Sequence, residues 1–225
     1  MPNSSGLSGR LAQGLSMPMH LIGFGAFGSA LLDGSESDGT NILLGGTAAL
    51  TSDWNTLDGT LTANNAVAPN GATEAARFLE SATTERHGIY ALPAITPGDT
   101  HTVSVYAKPI NRQYIQIYFI CVDGAASKVS VYFDLVNGTV TDSDIVANDS
   151  GIVSYGTPTI QKAYNGFYKC TIPNVVLNNT GSTAYLQLMS SDVGTYGSPL
   201  SYDSPSYAGN TSNGTYWWRP KLVVV

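Results

Sequence analysis

HTVSVYAKPINRQYIQIYFICVDGAASKVSVYFDLVNGTV, residues His101 to Val140, carries an apolar side chain at every second position through three successive runs. That is the period of a pleated strand with one face against a core. In the first run Val103, Val105 and Ala107 oppose Thr102, Ser104, Tyr106 and Lys108. In the second, Ile115, Ile117, Phe119 and Cys121 oppose Tyr114, Gln116, Tyr118 and Ile120; in the third, Val129, Val131, Phe133 and Leu135 oppose Lys128, Ser130, Tyr132 and Asp134. The β-branched faces are assigned to the core. Three such strands in a row imply an all-β protein.

Each opposite face holds a tyrosine. A sheet with Tyr106, Tyr118 and Tyr132 on its non-core side offers rings and hydroxyls together, the chemistry that a sugar or a protein partner uses. Gln116, Gln187 and Ser130 would supply further hydrogen-bonding groups. The same face could equally lie under loops, the N-terminal segment or a second subunit, because tyrosine tolerates a half-wet interface.

Outward from this stretch, the β pattern begins with NILLGG at Asn41–Gly46, and strands are expected at Ala76–Glu80, Gly88–Leu92, Val153–Tyr155, Thr159–Ala163, Phe167–Ile172, Thr183–Met189 and Tyr216–Val224. Pro97-Gly98, Asn137-Gly138 and Asn165-Gly166 separate some of them as turn signals. The passage holding Trp54 and the segment Ala68–Ala76 reads as turn-rich. About ten short strands and no long 3.6-residue period predict a two-sheet jelly-roll β-sandwich over residues 41–225 and argue against βαβ units. Trp217 and Trp218 alternate across one strand, so one of them must point inward, and Trp54 reads as core or hinge.

Residues 1–40 differ. They are rich in Gly, Ser and Met, lack alternation, and carry the apolar residues Leu21, Ile22, Phe24 and Phe27. This segment reads as an extended attachment arm that lies against its own domain or a neighbouring subunit. As a signal peptide, Met17–Leu32 is interrupted by Pro18 and His20 and has no clean cleavage site before Asp33. No run approaches the length of a membrane-spanning helix.

Only 12% of the chain is charged, with 10 Lys and Arg against 16 Asp and Glu, and no basic run relieves the net charge of −6. Nucleic acid is therefore not expected as the partner. Cys121 and Cys170 have no CxxC spacing, leaving a disulfide and two buried thiols both open. His20, His87 and His101 have no metal spacing, and no serine or cysteine sits in a nucleophile motif. Asp134, Asp142, Asp144 and Glu80 are carboxylates that nothing in the sequence pairs, whereas glycoside hydrolysis needs two facing each other. The chain is expected not to be an enzyme. The run Thr141–Ser150 reads as a loop in which Asp142, Asp144 and Asp149 would either hold a structural calcium or form a solvated turn; no other cofactor is expected.

Asn41-Ile42-Leu43-Leu44, Trp54, Ala68–Thr73, Thr102–Lys108, Phe133-Asp134-Leu135 with Gly138-Thr139-Val140, Asn165–Cys170 and Gly214–Trp218 occur in that order. On these residues the chain resembles, over about residues 41–225, the carbohydrate-binding-module-like jelly-roll domains of tailed-phage virion proteins. In that group the tract matching Asn165–Cys170 usually reads NGWYRC, so Phe167 and Lys169 depart from it without altering the strand pattern. The resemblance implies a structural protein on the exterior surface of a virion, with capsid decoration as the first expectation. A tail- or fibre-associated module binding a host glycan, or a secreted carbohydrate-binding module, is the alternative. The expected partners are other virion proteins, further copies of the chain in a homo-oligomer such as a trimer, and a cell-surface glycan.

Overall fold

The computed structural model describes residues 41–43, 50, 54–121, 127–147, 153–177, 184–195 and 206–225. Leu21, Ile22, Phe24, Phe27 and Asp149 lie outside them. The strands are β1 (Asn55–Leu57), β2 (Gly59–Val67), β3 (Thr73–Glu80), β4 (Thr84–Glu85), β5 (Gly88–Ala91), β6 (Thr100–Ile110), β7 (Tyr114–Cys121) and β8 (Ser127–Asp134). They continue as β9 (Thr139–Ala147), β10 (Val153–Ser154), β11 (Thr159–Lys162), β12 (Tyr168–Leu177), β13 (Ala184–Ser191), β14 (Tyr207–Ala208) and β15 (Gly214–Val224). One sheet has the order β1-β5-β13-β7-β8-β9. The other runs β10-β12-β6-β15-β3-β2, with β11 also paired to β12, and β14 pairs with β4. The jelly-roll β-sandwich expected from the sequence is the fold. No helix among the described residues is long and apolar enough to cross a membrane.

The alternation in residues 101–140 positions the core. Val103, Val105 and Ala107, Ile115, Ile117 and Phe119, and Val129, Val131 and Phe133 are buried in one cluster with Ile172, Leu186, Leu188 and Trp217. β6, however, crosses to the other sheet: it pairs with β12 and β15, while β7 pairs with β8 and β13. Alternation fixes which face of a strand is inside, not which of two sheets it joins. Trp217 points into the core, Trp218 points away from it, and Trp54 is a core residue. Cys121 and Cys170 lie in the same core on facing sheets; Cys170 is a free thiol whose pKa burial pushes well up.

Two expectations about loops are corrected. Gly59–Val67, within the passage read as turn-rich, is an edge strand. Its register with β3 shifts between Thr62 and Ala66, and Asn64 takes φ 51, so the bulge hides the strand period. Thr141–Ser150, read as a loop, is strand through Ala147: β9 pairs with β8 from Thr139 to Ala147. The β-branched residues Thr139, Val140, Thr141, Ile145 and Val146 explain this, outweighing the aspartates between them.

β15 lies between β6 and β3, so residues 214–224 fill the middle of their sheet. Asn41 is tied alongside it. The Asn41 Oδ1 atom accepts from the Leu222 and Leu43 N–H groups at 3.0 and 3.2 Å, and Asn41 Nδ2 donates to the Pro220 carbonyl at 3.3 Å. The Ile42 N–H donates to the Leu222 carbonyl at 2.9 Å.

His101, 1% exposed, meets the Phe119 ring edge-on at 6.0 Å. Burial lowers its pKa below the ordinary 6.5, with the charge of Asp99 opposing in part. Above pH 6.5 both states hold it neutral; below it the unfolded chain takes up a proton that the native state resists. Stability is therefore expected to fall as pH drops below about 6.5, by up to about 1.4 kcal/mol per unit. Urea midpoints between pH 7.5 and 5.5 read this step. It should vanish in His101→Gln, and persistence there would refute the assignment.

Candidate functional site

A row of polar and aromatic side chains crosses the outward face of the six-stranded sheet. The registers align Asn55 with Tyr90, Tyr90 with Gln187, Gln187 with Tyr118, and Tyr118 with Ser130. Directly opposed residues share a face, so the row crosses five adjacent strands. Along it exposure falls from Asn55, which is open, through the half-buried Tyr90 to Gln187 at 9% and Tyr118 at 2%. Tyr185, also half-buried, sits beside Tyr90 with ring centroids 5.7 Å apart and planes 31° from parallel. The Gln187 Oε1 atom is buried there without a hydrogen-bond partner among the described residues.

The deep end of this face holds Gln116, Tyr118, Ser130 and Tyr132, four of the residues singled out in the sequence. Gln116 lies in register with Tyr132, and its Nε2 atom donates to Ser130 Oγ at 2.6 Å. Tyr118 has Lys128 Nζ 5.9 Å from its ring centroid. Tyr132 is fully buried; burial first, then the charges of Asp142 and Asp192, pushes its hydroxyl pKa far above the ordinary value. Tyr106 lies elsewhere, on the outward face of the seven-stranded sheet, 4.9 Å from Trp218. The three tyrosines thus do not form one platform, and each is buried. Tyr90 and Tyr185 are a half-buried pair on this face, which the same two-residue period in GIYA and AYLQL marks as outward.

Asp142 and Asp144 stand two residues apart on β9, in register with Tyr132 and Ser130, rather than in a loop. Among the described residues no group of three or more His, Cys, Asp or Glu is placed to hold a metal ion.

The other named carboxylates are saturated. Glu80 accepts from Arg112 Nε and Nη2 at 2.8 and 2.7 Å, from the Tyr207 hydroxyl at 2.9 Å and from the Asn210 N–H at 3.1 Å. Burial raises its pKa, but these donors and the charge of Arg112 outweigh it and hold the carboxyl below its ordinary value. The Arg112 guanidinium stacks 4.6 Å from the Tyr207 ring, which also packs on His87 at 4.8 Å. Asp134 accepts from the Val136 and Asn137 N–H groups, each at 2.8 Å, and from Asn137 Nδ2 and Gln113 Nε2, each at 2.7 Å. Burial is again outweighed, and its pKa is lowered. Groups so engaged fix the ends of strands and have no lone pair turned to a substrate.

No family model matches the chain, and no curated protein does. Among solved structures, the enzymatically active domain of bacteriophage CBA120 tailspike protein 4 is similar to it at 13% identity and a TM-score of 0.44, over 82% of this chain and 21% of that one. A β-glucanase from Bacillus licheniformis is similar at 15% identity and a TM-score of 0.34, over 78% of this chain and 94% of that one. The chain thus spans about a fifth of the tailspike chain's length. Both of these proteins are enzymes by name, against the expectation that the chain is not an enzyme, which does not stand. At these scores the likeness transfers no reaction to it.

Proposed function

We propose that this chain is a glycan-binding β-sandwich of a tailed-phage virion protein, and that it takes sugar at the open end of the row on the six-stranded sheet. One observation carries the reading: two half-buried tyrosines, Tyr90 and Tyr185, flank an amide oxygen of Gln187 that has no donor. Rings stack on the apolar faces of a pyranose. A buried acceptor left unmade costs free energy in the unbound protein, and a sugar hydroxyl supplies the missing donor. Asn55 adds an exposed amide at the mouth. The virion setting is supported by the ordered motifs from Asn41 to Trp218, and no feature of the fold favours capsid decoration over a tail position.

Titration calorimetry against a panel of neutral hexasaccharides tests the site. The best ligand is expected to lose roughly tenfold or more in affinity in Tyr90→Ala and in Tyr185→Ala. Gln187→Met should also weaken binding while leaving the melting temperature unchanged or higher, because it deletes an unsatisfied oxygen at nearly constant volume. Affinities equal to the parent's in all three variants, or a panel with no ligand at all, would overturn the proposal. Chromatography of the ligand after incubation reads hydrolysis in the same experiment.

A further inference from the structure

The seven-stranded sheet turns a face of different chemistry outward. Thr62, Arg77, Tyr216 and Lys108 are register partners on four adjacent strands. The next row brings Trp218, Tyr106 and Lys169 together. With Arg219 and Lys221, this side gathers five of the ten Lys and Arg of a chain whose net charge is −6. Cations and rings alternate on it, and one carboxylate, Glu74, accepts from Trp218 Nε1 at 3.4 Å. Lys108 Nζ stands 5.8 Å from the ring centroids of both Phe167 and Tyr216, Lys169 Nζ 5.9 Å from Tyr106, and the Arg219 guanidinium 4.7 Å from Trp218.

Arg219 takes φ 46 at the bulge between Trp218 and Lys221, a strained backbone for a residue with a side chain. Phe167, Tyr106 and Trp218 are buried, and above them Arg77, Tyr216 and Lys108 are half-buried. The Arg77 Nε atom has no hydrogen-bond partner among the described residues. The ion pair found among the described residues, Arg112 with Glu80, uses neither Arg77 nor Lys108.

We infer that this face is a second binding site, for an acidic oligosaccharide in which uronate and neutral sugars alternate. A guanidinium fork matches a carboxylate in two parallel bonds, and an ammonium meets one as a point charge. Tyr216 lies between them, where a ring can stack on the intervening sugar, and Thr62 offers a hydroxyl at the edge of the row. Arg77 and Lys108 stand two strand spacings apart, roughly 9–10 Å at the backbone, which suits carboxylates on every second sugar of an extended chain. A nucleic acid is the poorer fit: its phosphates repeat at every nucleotide, and the chain that would meet them is acidic overall, with half of its Lys and Arg away from this face. The site is separate from the Tyr90–Tyr185 end of the other sheet.

Binding of a hyaluronan hexasaccharide to the full chain, measured by calorimetry at two salt concentrations, tests the inference. It should bind, weaken as salt rises, and bind roughly tenfold more tightly than its uncharged carboxyl methyl ester. Arg77→Gln and Lys108→Gln should each lose roughly tenfold, whereas Tyr90→Ala should bind as the parent does. The ester comparison uses the unaltered protein and so stands even where a variant melts early. No binding of the acid form, equal binding of the ester, parental affinity in both charge variants, or tighter binding of a thymidine dodecamer would each overturn it.

Discussion

Replacing Arg112 with alanine is expected to cost the sandwich about 3–5 kcal/mol, because it strands a buried carboxylate. The Glu80 side chain is 0% exposed and Arg112 only 12%. Glu80 sits at the end of β3, Arg112 between β6 and β7, Tyr207 on β14 and Asn210 between β14 and β15, so one carboxylate ties four parts of the chain together. Removing the guanidinium deletes two charge-assisted bonds and the stacking on Tyr207 at once. The double variant Glu80→Leu with Arg112→Met should lie closer to the parent than either single change, since it leaves no unpaired charge. Urea unfolding of the four proteins gives the cycle; a single variant within about 1 kcal/mol of the parent would show that the pair is not the clasp described. The lowered Glu80 pKa adds a sign. The stability it contributes is complete above the unfolded value of 4.5 and is lost as pH falls through the folded one, a window below that of His101.

Trp217→Ala is the second large loss, expected at about 3–5 kcal/mol. The indole is fully buried at the centre of the seven-stranded sheet, among the side chains that join the two sheets. Its N–H has no partner among the described residues, which distinguishes this tryptophan from a hydrogen-bonded one. Trp217→Phe should therefore cost far less than Trp217→Ala, because the ring it keeps fills most of the space and the atom it removes was unsatisfied. Equal losses for the two substitutions in thermal or urea melts would mean that the indole N–H contributes after all.

The sandwich was legible because its core strands alternate strictly. Val103 to Ala107, Ile115 to Phe119 and Val129 to Phe133 all point inward as their spacing requires. β2 and β9 were not, for local reasons: a bulge at Asn64 breaks the period of one, and aspartates interrupt the other. The outward tyrosines were correctly placed away from the core, yet pairing across strands, which the sequence does not encode locally, assigned Tyr106 to one sheet and Tyr118 and Tyr132 to the other. The same limit hid the basic face. Arg77, Lys108, Lys169 and Arg219 are far apart in the chain, so a search for basic runs passes over them, and only register brings them into adjacent rows. Tyr90 and Tyr185 carried the right signal, one outward ring in a short buried strand, on strands whose own faces were not divided.

The central place of β15 governs how this protein is made. A ribosome delivers β3 and β6 long before residues 214–224, and until those residues emerge neither strand has the neighbour that completes its hydrogen bonding. The nascent chain thus passes through a stage with two unpaired edges in what becomes the interior of a sheet, the condition under which strands recruit those of other molecules. Closure of this sheet therefore waits for residues 214–224 and does not proceed by growth from one side. Slow translation gives such a chain no early reward, and chaperone cover during synthesis matters more for it than for a sheet whose last strand lies at the rim.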